Sequence, residues 1–176
     1  MKFKFVNYNL NNYYNKLMSK YYLNKTWHDF LCKTIEKQNM NNILNILKKR
    51  VKPNSNLEFS LILGLIHKII DKSGYNCLIT QILKHDKYRD LFLEAYGRNK
   101  YTPAFRAGWK GNYNNLHDIF CIIGLDKSII NGETIYDAIN SGREYNLKKN
   151  PDFYIIINDQ YDQCILIADK FNIKKN

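Results

Sequence analysis

Apolar residues recur along this chain at three- and four-residue intervals, and short breaks of Gly, Asn or Ser separate the runs. This spacing places the apolar side chains on one face of a helix, which then needs a second helix to cover it. The pattern predicts an all-α fold of short antiparallel helix pairs. The apolar stripes lie at 10–22, 27–34, 43–47, 61–70, 78–83, 91–95, 116–123 and 135–139.

Residues that cap helices predict where these helices begin and end. A Ser or Thr before the first helical residue can accept a hydrogen bond from a free backbone N–H, and Pro is well tolerated at the first position. Gly or Asn after the last turn ends a helix, and Asn131-Gly132 is typical of a tight turn. The predicted starts are Thr26, Ser60, Thr102 and Thr134, and the predicted stops are Ser73-Gly74, Gly111 and Ser141-Gly142.

Two interpretations stay open for the apolar C-terminal region. The runs Phe153–Ile157 and Ile165–Ile167 fit two strands of a small terminal hairpin. They fit apolar segments of a helix equally well, because periodicity does not separate the two in runs this short.

The unit that begins at Thr102 carries a recognisable repeat pattern. It reads TPAFRAGWKGN and resembles the ankyrin-repeat pattern T-P-L-H-x-A-A-x-x-G-[HN]. The segment Asn131-Gly132-Glu133-Thr134 is similar to the N-G-x-T that opens that family's next unit. The matching positions are Thr102, Pro103, Ala107, Gly111 and Asn112, and the departures are Ala104, Phe105 and Gly108.

The spacing of the helix starts supports the resemblance in two of its three intervals. The four starts are separated by 34, 42 and 32 residues, and ankyrin units repeat every ~33. The unit at Ser60 would therefore contain an insertion of about nine residues. The resemblance is close over 102–142 and loose over 26–101. The alternative is an irregular helical domain that matches the pattern once by chance.

The resemblance implies an ankyrin-like solenoid and a binding function. We would expect an N-terminal helical cap at 1–25, repeats at 26–142 and a C-terminal capping segment at 143–176. It also implies a non-enzymatic protein–protein interaction module that needs no cofactor and no metal. Such modules bind a protein partner through turn tips and first helices, and the corresponding residues are Arg98, Lys100, Tyr101, Trp109 and Lys110.

Charge supplies a second hypothesis, and composition weakens it. Residues 1–88 carry 15 Lys and Arg against 5 acids, whereas residues 89–176 carry 12 against 11. A basic nucleic-acid or polyanion-binding protein would use such an excess. However, Asn, Ile, Lys and Tyr make up 82 of 176 residues, which indicates an AT-rich genome, as in a large DNA virus or an intracellular organism. The basic patch is Lys48, Lys49, Arg50 and Lys52, which also resembles a short nuclear-import signal.

Sequence motifs give no support for catalysis or metal binding. The four cysteines are at least 43 residues apart and flanked by apolar residues, so we expect reduced core thiols. The sequence contains no H-E-x-x-H and no glycine-rich phosphate loop. Its longest apolar run, Phe59–Ile66, is too short to cross a bilayer. These features favour an intracellular protein, cytoplasmic or nuclear, without a membrane partner.

Overall fold

The computed structural model describes Asn41, Asn45 and residues 52–72, 76–94, 101–123, 129–130 and 133–171. The expected N-terminal cap at 1–25 lies outside these residues. The described part is mostly helical, as predicted. Its helices are α1 (Asn56–Asp71), α2 (Asn76–Leu83), α3 (Asp86–Arg89), α4 (Pro103–Lys110), α5 (Tyr113–Ile123), α6 (Ile135–Lys149) and α7 (Tyr154–Lys170), with 3₁₀ turns at Asp90–Leu93 and Pro151–Phe153.

The helices pack as three pairs in two rows. The pairs are α1 with α2, α4 with α5, and α6 with α7. In one row α1 contacts α4 and α4 contacts α6, whereas in the other α2 contacts α5 and α5 contacts α7. A continuous apolar core runs between the rows, from Ile62 and Ile66 of α1 to Ile139 of α6 and Tyr161 of α7. No described helix is long and apolar enough to cross a membrane.

The pair α4–α5 begins and ends where its sequence predicts. The Thr102 hydroxyl accepts a hydrogen bond from the Phe105 N–H, and Pro103 occupies the first turn. Gly111 ends α4 with a φ of 69°, in the left-handed region that glycine adopts without a Cβ penalty. The Asn112 side chain then accepts from the Asn115 N–H to start α5 and donates to the Ile70 carbonyl at the end of α1.

A short hairpin links α5 to α6. Strands β1 (Ile129–Ile130) and β2 (Glu133–Thr134) pair antiparallel, with Ile129 opposite Thr134, and flank the predicted turn. Thr134 caps α6 as predicted. Its hydroxyl accepts from the Asp137 N–H, and the Asp137 carboxylate accepts from the Thr134 N–H. This reciprocal capping box lies 32 residues after the cap at Thr102.

The helix α6 does not stop at Ser141-Gly142, so that prediction is wrong. It continues to Lys149 and crosses the expected boundary at 142–143. A Cβ on Gly142 would overlap the Trp109 carbonyl oxygen and lie 2.8 Å from the Trp109 Cα. Glycine is therefore at this position because the backbones of α4 and α6 approach closely, and not because the chain turns.

The C-terminal region is a helix, so a terminal hairpin at 153–167 is wrong. Residues Ile157, Tyr161, Cys164 and Ala168 are buried at helical spacing, on the face of α7 that packs against α5 and α6. The remaining apolar residues of the region are largely exposed. The run contains more apolar residues than one helix face can bury, and its sequence therefore fits a strand equally well.

The first described pair differs from its prediction at its start. The helix α1 begins at Asn56, because the Ser55 hydroxyl accepts from the Glu58 N–H. Ser60 is buried inside the helix, so its predicted capping role is wrong. The segment 86–93, which contains α3 and a 3₁₀ turn, lies between α2 and Thr102, where the spacing predicted inserted residues.

Candidate interaction surface

Cations and aromatic rings meet on the row formed by α1, α4 and α6. We name this the cation–aromatic surface. The Arg106 Cζ lies 5.1 Å and the Lys110 Nζ 5.2 Å from the centre of the Trp109 ring. The Tyr145 ring lies 5.3 Å from the Trp109 ring, and the Lys149 Nζ lies 6.0 Å from the Tyr145 ring. Its members are Lys68 of α1, Arg106, Trp109 and Lys110 of α4, and Tyr145 and Lys149 of α6.

Positive charge exceeds negative charge at this surface. Arg106 binds both oxygens of Asp71, at 2.6 Å and 2.9 Å, and the Lys110 Nζ lies 4.0 Å from the same carboxylate. Partial burial lowers the pKa of Lys110; Asp71 raises it, and the nearby Arg106, Lys149 and Lys68 lower it. The net direction is downward, with partial burial as its largest cause, and Asp71 is one carboxylate beside several cations. An anionic group placed here would be stabilised.

The Trp109 ring is half-buried, and a hydrogen bond from Tyr161 of α7 holds its backbone carbonyl. The Tyr161 hydroxyl donates to the Trp109 carbonyl at 2.7 Å and accepts from the Asn146 side chain at 2.6 Å. That carbonyl lies in the last turn of α4, where no intrahelical donor remains, so Tyr161 supplies the missing partner. With Gly142 against the same peptide group, the Trp109 backbone is held in place while part of its ring faces solvent.

A groove adjoins the surface at Lys110. It has a volume of about 230 Å³, and apolar and aromatic side chains line it, together with amides. Four consecutive residues from the 3₁₀ turn into α7 are exposed: Phe153 by 57%, Tyr154 by 63%, Ile155 by 81% and Ile156 by 57%, and the first and last of them line the groove. Contiguous apolar exposure of this kind is typical of interaction sites. The lining residues are Lys110, Asn146, Asn150, Phe153, Ile156, Ile157, Gln160 and Tyr161.

The structure brings only some of the predicted site residues together on one surface. Trp109 and Lys110 lie together on the cation–aromatic surface. Tyr101 is buried, and its hydroxyl donates to Glu133, so its expected exposure at a turn tip is wrong. It packs on Phe105 and connects two successive helix starts. Lys52 is exposed. The other predicted positions lie outside the described residues: Arg98, Lys100, Lys48, Lys49 and Arg50.

Sequence reasoning missed the part of the surface that α6 supplies. Tyr145 and Lys149 lie beyond Ser141-Gly142, where the helix was expected to stop. Had α6 been extended, the four-residue interval between Tyr145 and Lys149 would have placed both on one face. Arg106 could have been found in the same way, because it lies three residues before Trp109 on α4.

The cysteines are only partly as expected. Cys164 is buried, and burial raises the pKa of its thiol to about 12. Cys121 is exposed, which contradicts the prediction of a core thiol, and lies 3.6 Å from the His117 Nε2. It follows apolar Phe120 in sequence, but α5 turns it away from the core. Among the described residues, no three His, Cys, Asp or Glu side chains are grouped to hold a metal ion.

Comparison of the chain with protein-family models, with curated proteins and with solved structures found no match in any of the three.

Proposed function

We propose that this protein is a non-enzymatic protein–protein interaction module of ankyrin-repeat type, with its helix pairs stacked as a short solenoid. Two features support the repeat assignment. First and second helices form separate rows, each in sequence order. The caps Thr102 and Thr134 bracket a unit of two short helices followed by a hairpin. A stack of this kind presents the exposed face of its first helices as one extended surface.

The observation that carries the proposal is the setting of Trp109. A tryptophan that is half-buried, flanked by two cations and fixed through its backbone loses little entropy when a partner covers it. Trp, Tyr and Arg are also the residue types that dominate binding energy at protein interfaces. All three occur within the cation–aromatic surface.

The test is quantitative capture of partners from extracts of the cells in which the protein is naturally made. Wild type is compared with Trp109→Ala and with Tyr145→Ser. Leu166→Ala is the control, because Leu166 is an exposed apolar residue, 59% accessible, on the far half of α7. We expect at least one protein that wild type and the control retain and both surface variants lose. Thermal melting verifies that each variant is folded. Identical capture by all four proteins would contradict the proposal.

A further inference from the structure

The cation–aromatic surface and its groove together indicate the chemistry of the partner. Arg106 and Lys110 lie over the Trp109 ring and Lys149 over the Tyr145 ring, and Lys68 adds a fourth positive charge near Lys110. Among the described residues, Asp71 is the carboxylate that forms ion pairs with them, and Arg106 already occupies both of its oxygens. Lys110 keeps part of its side chain accessible, at 31%, and Lys149 is exposed. These two lysines are therefore available to an incoming anion.

The groove beside Lys110 fits one apolar side chain. Its volume, about 230 Å³, lies below the 300–1,000 Å³ typical of sites for drug-sized molecules and cofactors. Phe153, Ile156 and Tyr161 form the apolar and aromatic wall of the groove. The Asn150 amide and the side-chain oxygen of Asn146 can bond a peptide backbone. A ligand that carries carboxylates next to a large apolar side chain would bind the lysines and fill the groove at the same time.

We propose that the cation–aromatic surface binds an acidic peptide segment of a partner protein, in which Asp or Glu flank a large apolar residue. The carboxylates bind Lys110 and Lys149, and the apolar side chain enters the groove. This inference rests on the proposed function. Nucleic acid fits less well: its phosphates would bind the lysines and its bases could stack on the rings, but it carries no aliphatic side chain to cover the exposed Ile155 and Ile156.

The test is selection of random peptides displayed on phage against the full chain, followed by affinity measurement on synthetic copies of the enriched peptides. We expect enrichment of sequences in which Asp or Glu flank Leu, Phe or Trp. Their affinity should fall by about tenfold in Lys110→Gln/Lys149→Gln, since each exposed ion pair contributes a few-fold. Ile156→Ser should weaken them without changing the salt dependence.

The control Lys148→Gln/Lys170→Gln removes the same charge from two exposed lysines outside the surface, and should bind the peptides like wild type. Neutral or basic peptides that need Trp109 would overturn the inference and leave the proposed function standing. Failure to enrich any Trp109-dependent peptide would count against both. Displacement of the enriched peptides by a single-stranded oligonucleotide at equal charge concentration, with tighter binding than the peptides, would also overturn the inference in favour of nucleic acid.

Discussion

The pairs α4–α5 and α6–α7 pack against each other, yet different interactions set their ends. In α4–α5 each end follows from a neighbouring residue: Thr102 caps the start, and Gly111 turns the chain at positive φ. In α6–α7 the helices are longer, 15 and 17 residues, and α6 runs through Gly142, a residue that weakens an isolated helix. Gly142 is tolerated there because α6 packs on α4. Local signals therefore define both ends of α4, whereas α6 starts at a local cap and passes Gly142 because of a tertiary contact.

Gly142→Ala tests the tertiary contact in α6 and should have the largest effect on stability. In an isolated helix, Ala in place of Gly stabilises by about 1 kcal/mol. Here the added methyl overlaps the Trp109 carbonyl, so we expect a loss of about 3 kcal/mol in the free energy of unfolding. Urea denaturation measures it. The exposed neighbour Ser141→Ala is the control and should change stability by less than about 0.5 kcal/mol. A stabilised Gly142→Ala would show that α4 and α6 do not approach closely.

Gly111→Ala tests the local signal in α4–α5, and we expect a loss of about 2 kcal/mol. A non-glycine residue at a φ of 69° costs about 1–2 kcal/mol, and the new Cβ would press on the Tyr161 ring at 3.1 Å. Gly111→Asn places a Cβ at the same point, but Asn adopts the left-handed region more readily. Thermal melting should therefore rank Asn above Ala. Equal losses would assign the cost to the ring contact rather than to the backbone.

Tyr161→Phe tests the hydrogen bond that joins the two pairs. Removing the hydroxyl leaves the Trp109 carbonyl without its donor and takes one of the two acceptors from the Asn146 amide, so we expect a loss of about 1–2 kcal/mol. Tyr154→Phe is the matched control, since Tyr154 is 63% exposed. Chemical denaturation of both variants makes the comparison. A change of the same size in the two would contradict a specific role for Tyr161.

The smallest expected effect is that of the caps. Thr102→Ala should cost about 1 kcal/mol through loss of one capping hydrogen bond. Thr134→Ala should cost at least as much, because it removes both the capping bond from the Asp137 N–H and the bond that the Thr134 hydroxyl donates to the Asp137 carboxylate. Denaturation midpoints of the two variants measure this order. If neither midpoint moved, the assignment of these residues as repeat-unit starts would be wrong.

The sequence predicts what neighbouring residues determine. The caps at Thr102 and Thr134 and the left-handed Gly111 follow from conformational preferences that act within a few residues. Gly142 is predicted to stop a helix as Gly111 does, although a capping Asn112 follows Gly111 and Arg143 follows Gly142. The reason for a glycine at 142 is a contact with Trp109, 33 residues earlier, which periodicity does not encode.

The candidate site was also predictable only where neighbouring residues determine the bounds of a helix. Trp109 and Lys110 follow from their positions on a helix whose bounds were correct. Tyr145 and Lys149 were missed because the bounds of α6 were wrong, and Tyr101 was misplaced because its ring packs on Phe105. The surface is assembled from three helices, so residues far apart in the chain complete it only after folding.

The hydrogen bond from Tyr161 to Trp109 also affects the order of events during synthesis. The two residues are 52 positions apart, so the last turn of α4 gains its final partner only after α7 has been made. Ribosomes add about 5–20 residues each second, which leaves that carbonyl without its donor for roughly 3–10 seconds. The nascent chain therefore carries an incomplete α4 until α7 has been made, and the Trp109 backbone gains this hydrogen bond only then.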